Sequence, residues 1–226
     1  MSYSLIIPIY NEGKKLRELL KDLKSNIHNS EIILINDGST DKTKSILEDL
    51  ENQKLFKIIH KQENGGKGSA IIAGCKIAKN KNIILMDSDL EISIYEIPKM
   101  IKKFEKKDLD VLVGNRWNGN EKFSDLHFLG NLFINLFFNF LFRTNFNDIL
   151  CCLKIINVEC YNKLNLKSKG FGIESEIMSK IILNGFSIKQ KQINYKRRSK
   201  SEGKKLKSSD AFVILWTIIK HRYFKY

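Results

Sequence analysis

The chain has 226 residues, enough for one α/β domain with a sizeable core, and its 2 prolines and 13 glycines leave no Pro/Gly-rich linker to divide it. Its 39 Lys and Arg against 25 Asp and Glu give a net charge of +14, which points to phosphate-bearing partners: nucleotides, anionic lipid or nucleic acid. Cys75, Cys151, Cys152 and Cys160 have no Cys-x-x-Cys spacing and no histidine-rich company, which speaks against zinc and fits a reducing cytoplasm.

Tyr3–Ile9 reads as a strand, with Pro8 where a strand stops donating ladder hydrogen bonds. Residues 13–27 predict a helix with Leu16, Leu19, Leu20, Leu23 and Ile27 on one stripe. A strand over 32–35 leads through Asn36-Asp37-Gly38-Ser39-Thr40-Asp41 into a helix over 42–50, capped by Ser39 or Thr40. Then follow a strand over 55–59, a helix over 69–78, a strand over 83–86, a helix over 94–104 and a strand over 110–113. This alternation predicts βαβ units and a mainly parallel sheet flanked by helices. Beyond residue 120 the rhythm changes to a Phe-rich helix over 126–142, a helix over 173–183, a strand near 187–194 and a basic stretch running to Lys207.

The densest chemical signal is Leu85-Met86-Asp87-Ser88-Asp89-Leu90-Glu91, an apolar strand that ends in acidic residues at alternate positions. Open α/β sheets bind ligands at the carboxyl edge of their strands. Carboxylates crowded there repel one another unless a cation lies between them, and hard oxygen ligands suit Mg²⁺ or Mn²⁺. The strands ending at Tyr10-Asn11-Glu12 and at Asn36-Asp37 bring further polar loops to the same edge, and Asn64-Gly65-Gly66-Lys67-Gly68 lies between them and the acidic triplet. These carboxylates argue against a phosphodiester track, so nucleic acid is not an expected partner.

No stretch reaches the roughly 18 uninterrupted apolar residues of a spanning helix. In residues 126–142, His127, Asn131, Asn135 and Asn139 recur every four positions on one face, and Leu129, Phe133, Leu136, Phe137 and Phe140 fill the rest. Such a helix suits either a core or a membrane interface. The tail from Ala211 interleaves Phe212, Trp216, Tyr223 and Phe224 with Lys220 and Arg222, a pattern suited to headgroups. The expectation is a chain peripherally associated with the cytoplasmic face of a membrane. The first residues run straight into a strand, with no charged leader and cleavage site.

Taken together, Ile7-Pro8-Ile9-Tyr10-Asn11-Glu12, Asn36-Asp37-Gly38-Ser39-Thr40-Asp41-Lys42-Thr43, Gly65-Gly66-Lys67-Gly68 and Asp87-Ser88-Asp89-Leu90 resemble the family-2 glycosyltransferases of GT-A (Rossmann-like) fold. Gly114-Asn115-Arg116, Asp148, Gly170-Phe171-Gly172-Ile173-Glu174-Ser175-Glu176, and Arg198 with Glu202-Gly203-Lys204-Lys205-Leu206 resemble the dolichol-phosphate mannosyltransferase branch and its polyprenyl-phosphate relatives. The resemblance implies a single domain over 1–226, with a nucleotide-sugar-binding half over 1–120 and an acceptor and membrane-facing half, with C-terminal amphipathic helices, over 121–226. It implies that Pro8, Tyr10, Glu12, Ile35 and Asp37 line the nucleoside pocket, joined by Lys67 and by Ser88 near the ribose. Asp87 and Asp89, with Glu91 where the family often carries Gln, are the implied ligands of Mg²⁺ or Mn²⁺.

The expected reaction moves a hexose, mannose or glucose, from a GDP- or UDP-sugar to a polyprenyl or dolichyl phosphate, inverting the anomeric centre. Arg116, Arg198 and Lys204 are the expected phosphate contacts, because guanidinium forks and ammonium groups meet phosphate oxygens. A lipid phosphate arrives as an anion and needs no strong base. A sugar hydroxyl in polysaccharide assembly needs one, and Asp148 and Glu176 are then the candidates. Two further expectations stay open: a membrane-anchored partner subunit, and a non-catalytic module binding anionic lipid or nucleic acid. The chain departs from the family at His127 and Asn131, where an arginine is usual, and at Cys151-Cys152-Leu153-Lys154, where Cys152 replaces a glycine.

Overall fold

The computed structural model describes residues 2–28, 30–51, 55–117, 126–198 and 208–224. In chain order the elements are β1 (Tyr3–Ile9), α1 (Leu16–Asn26), β2 (Ser30–Asn36), α2 (Thr43–Glu48), β3 (Phe56–His60), α3 (Lys67–Lys76), β4 (Asn82–Leu85) and α4 (Glu96–Glu105). They continue with β5 (Val111–Asn115), α5 (Leu126–Phe142), β6 (Lys154–Asn157), α6 (Val158–Leu164), α7 (Ile173–Leu183), β7 (Ile188–Gln192) and α8 (Ser208–Tyr223).

The near-continuous apolar runs of β1, β2 and β4 form central strands buried on both faces, as parallel strands covered by helices require. The sheet has seven strands in the order β3-β2-β1-β4-β6-β5-β7. β1 pairs in parallel with β2 and β4, β2 with β3, and β5 with β7, so the mainly parallel sheet is present. β6 runs antiparallel to both β4 and β5. Its four residues, Lys154 to Asn157, are too short for a period to register in sequence, and the buried lysine disguises the strand. α6 was equally unannounced. Asn157 caps it by accepting from Glu159 N.

This topology places the loops that matter. β1, β2 and β4 are neighbours with their carboxyl ends at one edge, and Asp37 N donates to Ile9 O at 2.8 Å there. Asn11 N donates to Ser39 Oγ, Thr40 N to Asn11 Oδ1, and Glu12 N to Thr43 Oγ1. Ser39 therefore ties two loops together instead of capping α2, whose first-turn Thr43 N donates to Asp41 Oδ1.

α5 is divided between the core and the surface. Its asparagine stripe faces the protein: Asn135 Oδ1 accepts from Ile149 N, and Asn139 accepts from and donates to the Phe146 backbone. The apolar side is shared. Phe138 is fully buried, whereas Phe140 is 81% exposed, and Phe133 and Leu136 are exposed beside it. α8 packs against α5 and α7 and leaves Phe212, Trp216 and Tyr223 exposed. Among the described residues no helix is long and apolar enough to cross a membrane.

Candidate active site

A cleft of about 590 Å³ opens at the carboxyl edge of the sheet. Pro8, Tyr10 and Glu12 line it from the end of β1, Asp37 from β2, Lys67 from α3, and Asp87, Ser88, Asp89 and Glu91 from the loop after β4. Arg116 enters after β5, and Arg198 from the segment after β7. Most of the expected donor-side residues therefore meet in one place. Ile35 does not. The two-residue alternation of β2 turns it into the core, where its Cδ1 lies 2.6 Å from the point a Cβ on Gly74 would occupy. Lys204 lies outside the described residues.

Asp37 is buried and works as a clamp on the glycine loop. Its Oδ2 accepts from Gly66 N at 2.8 Å and its Oδ1 from Gly65 N at 3.1 Å, while the Lys61 ammonium pairs with it. Gly66 has φ +90°, a conformation open to glycine, and the loop is pressed against residues 168–170. α3 then begins with Lys67, two residues earlier than its sequence suggested. That puts the Lys67 ammonium into the cleft, 2.8 Å from Asp87 Oδ1 and 2.9 Å from Glu174 Oε1. Burial alone lowers its affinity for a proton, but Asp87 and Glu174 outweigh that and hold it firmly cationic.

The acidic loop turns through Leu90 at φ 61°, a left-handed conformation that costs a leucine about 1 kcal/mol or more. Glu91 N donates to Asp89 Oδ1 at 3.0 Å. Burial, then the negative charges of Asp87 and Glu91, push the Asp89 carboxyl up to about 7. The Glu91 side chain turns away from the metal role expected of it. Its Oε2 accepts from Tyr195 Oη at 2.8 Å and its Oε1 from Arg198 N at 2.9 Å. It is a clasp for the segment after β7, which also bridges Ile92 through Tyr195.

Both arginines expected to meet phosphate hold carboxylates in this state. Arg198 donates to Glu12 at 2.9 and 3.3 Å and to Asp89 O at 2.6 Å. Arg116 makes a fork on Asp148, Nε to Oδ2 at 2.7 Å and Nη2 to Oδ1 at 2.9 Å, and its guanidinium lies over Trp117 and Tyr195. Asp148 accepts in addition from Arg116 N and Leu150 N, so it is an orienting group with no oxygen directed at an incoming hydroxyl.

Glu176, the other candidate base, does not line the cleft. It accepts from Lys167 N and from Ser168 N at 2.7 Å and pairs with Lys180 at 2.7 Å. The acid of α7 that reaches the cleft is Glu174, paired with the fully buried Lys154 and with Lys67. Residues two apart on a helix face nearly opposite ways, and no local pattern orients α7 to choose between them. Lys61, Lys154, Glu174 and Tyr195 were missed for that kind of reason. Each is a charged or polar residue in an ordinary element, marked only by its partners. Cys152 lines the cleft with an ordinary negative φ, so the residue in the place of a glycine needs no special backbone; burial, then Asp87, keep its thiol protonated.

Among the described residues no group of three or more His, Cys, Asp or Glu side chains is arranged to hold a metal. Asp87 and Asp89 offer hard oxygens on the cleft wall. Such a pair suits Mg²⁺ or Mn²⁺, which commonly takes one or two carboxylates and completes its shell with substrate phosphates and water.

Comparison with known proteins fits this edge. Residues 4–164 match the family model for glycosyl transferase family 2. The chain is 33% identical over 134 residues to the dodecaprenyl-phosphate galacturonate synthase of Rhizobium johnstonii, covering 54% of this chain and 37% of that protein. It is 34% identical over 119 residues to the dolichol-phosphate mannosyltransferase of Pyrococcus furiosus, covering 52% and 34%. The match thus spans little more than a third of these relatives' lengths. The fold superposes on glucosyl-3-phosphoglycerate synthase from Mycobacterium tuberculosis, solved with Mn²⁺, UDP and phosphoglyceric acid, with a TM-score of 0.77, 13% identity, and coverage of 100% of this chain and 80% of that one. The chain belongs to glycosyl transferase family 2 and has the GT-A fold.

Proposed function

We propose that the protein moves a hexose, mannose or glucose, from a GDP- or UDP-sugar to a polyprenyl phosphate at the cytoplasmic face of a membrane, with Mg²⁺ or Mn²⁺ as cofactor. The observation that carries the acceptor is the continuity of the cleft. From Asp37 and Asp87 it runs on to Asn131 and Ile134 of α5, Phe171, and Ala211 and Ile214 of α8. Those two helices expose Phe133, Phe140, Phe212 and Trp216 on their outer sides. A cleft that passes from charged residues to two helices whose outer sides carry exposed aromatic rings suits an acceptor with a phosphate head and a hydrocarbon tail in a bilayer. Relatives whose names carry dodecaprenyl phosphate and dolichol phosphate support the same reading.

In this reading Tyr10 and Asp37 flank the nucleoside, and Asp87 and Asp89 face the diphosphate. Asp87 and Asp89 would hold the divalent ion, which would supply Lewis-acid compensation for the charge of the leaving diphosphate. The acceptor's phosphate oxygen forms the new bond to the anomeric carbon as the carbon–oxygen bond to the nucleoside diphosphate breaks, and the electron pair leaves with the diphosphate. No proton moves in this step, because a phosphate monoester is already anionic. Arg116, held rigid by Asp148, and Arg198 compensate the charge that develops. The commitment of Asp148 to Arg116 and of Glu176 to its own loop weighs against a hydroxyl acceptor, which needs a free base.

The test is a matrix of nucleotide sugars against lipid phosphates and sugar alcohols with Mn²⁺, the products read by mass spectrometry. Product on a lipid phosphate with wild type and none with Asp89→Ala is the expected result. Transfer only to hydroxyl acceptors would overturn the reading.

A further inference from the structure

We propose that Lys67 is a built-in counter-ion that a divalent cation must displace from Asp87, and that Glu174 is the seat to which its ammonium withdraws. The inference rests on the metal-dependent reading above and deepens it. The Lys67 ammonium sits astride the Asp87 carboxylate, 2.8 Å from Oδ1 and 2.9 Å from Oδ2, where a hard cation would approach it. On the other side it lies 2.9 Å from Glu174 Oε1, a buried oxygen that this ammonium alone engages among the described residues. Glu174 Oε2 is already taken by Lys154. Oε1 of Glu174 therefore already shares the Lys67 ammonium with Asp87 and can keep it when Asp87 is taken.

The backbone of Lys67 is fixed. Gly66 N is held by Asp37 just before it, and Ser69 N donates to Lys169 O at 2.9 Å just after. Only the flexible four-carbon stem can move, and moving a point charge along it is what a lysine does well. Two positive charges cannot share one carboxylate at close range without repulsion, so a divalent ion arriving at Asp87 drives the ammonium toward Glu174 or toward phosphate oxygens of the donor. Two consequences follow. Metal binding to the nucleotide-free protein is weakened by the resident ammonium, and nucleotide binding, which offers oxygens to both cations, strengthens it.

Mn²⁺ binding measured by calorimetry and by the spin-resonance signal of the free ion, without nucleotide and then with UDP or GDP, tests this apart from turnover. Lys67→Gln is expected to bind Mn²⁺ about ten-fold tighter than wild type without nucleotide and to lose most of the gain that nucleotide confers, while Lys67→Arg stays near wild type. Glu174→Gln is expected to bind Mn²⁺ several-fold more weakly, since the ammonium then has one seat only. A misfolded variant cannot gain affinity, so Lys67→Gln decides the matter. Unchanged or weaker Mn²⁺ binding in Lys67→Gln overturns the displacement and leaves the transferase reading standing. Wild type that binds no Mn²⁺, with either nucleotide or without, overturns the metal reading and this inference together.

Discussion

Arg198 and Glu12 stand 186 residues apart in the chain and meet in a two-pronged ion pair, with Nη2 2.9 Å from Oε2. Both side chains are more than nine-tenths buried, and the same arginine donates through Nε to Asp89 O. The last part of the chain thus closes over the first loop of the sheet and the acidic loop at once. Removing one partner of a buried pair strands the other. Arg198→Ala is expected to destabilise the fold by about 3 kcal/mol. The double variant Glu12→Gln, Arg198→Met recovers most of that in thermal melts but not donor binding. Full donor affinity in the double variant would show that the pair is structural only.

Asp89 shares a half-buried loop with two other acids, so its charge is expensive to hold in the absence of a cation. Asp89→Asn is expected to melt at or above the wild-type temperature and to lose at least ~100-fold in transfer. A loss of activity accompanied by a loss of stability would mean the residue supports the fold instead.

Glu176 offers a pH test that separates a structural acid from a catalytic one. Burial raises its carboxyl, but Lys180 and the Ser168 backbone outweigh burial, so its folded-state value lies below the ordinary 4.5. Its stabilisation is fully present above the unfolded value and fades as pH falls through the folded one. Glu176→Gln is expected to cost ~2 kcal/mol near neutral pH and to flatten the acid limb of the stability curve, with turnover of the folded protein kept within a few-fold. Abolished turnover in a variant of unchanged melting temperature restores Glu176 as a base.

Gly68 has no room for a side chain. A Cβ there would meet Ser168 O at 2.0 Å, a backbone atom that cannot swing away. Gly68→Ala should cost ~1–3 kcal/mol and weaken nucleotide binding, because the displaced loop carries Lys67. Calorimetric titration with UDP and GDP measures it.

The exposed aromatic face gives a separate check of the membrane reading. Phe140→Ser and Trp216→Ser should each weaken flotation with anionic liposomes by ~1–2 kcal/mol in partition free energy. Transfer to a short, detergent-free lipid phosphate should stay unchanged. Flotation equal to wild type in the double variant excludes this surface as the contact.

The apolar runs of β1, β2 and β4 and the helical stripe of α1 determined a parallel α/β sheet from sequence alone, because burial on both faces leaves a signal in every residue. The polar residues after those strands were legible for the same reason: strand ends fix which loops share an edge. Tertiary structure decided the rest. Whether Ile35 faced cleft or core depended on the pleat, and whether Glu174 or Glu176 reached the site depended on how α7 lay against the sheet. The engagement of Glu91 by Tyr195 and Arg198 joins residues more than a hundred positions apart, which no local pattern records. Residue types set which chemistry was available; only packing assigned each charge its partner, because an ion pair is a property of two positions in space.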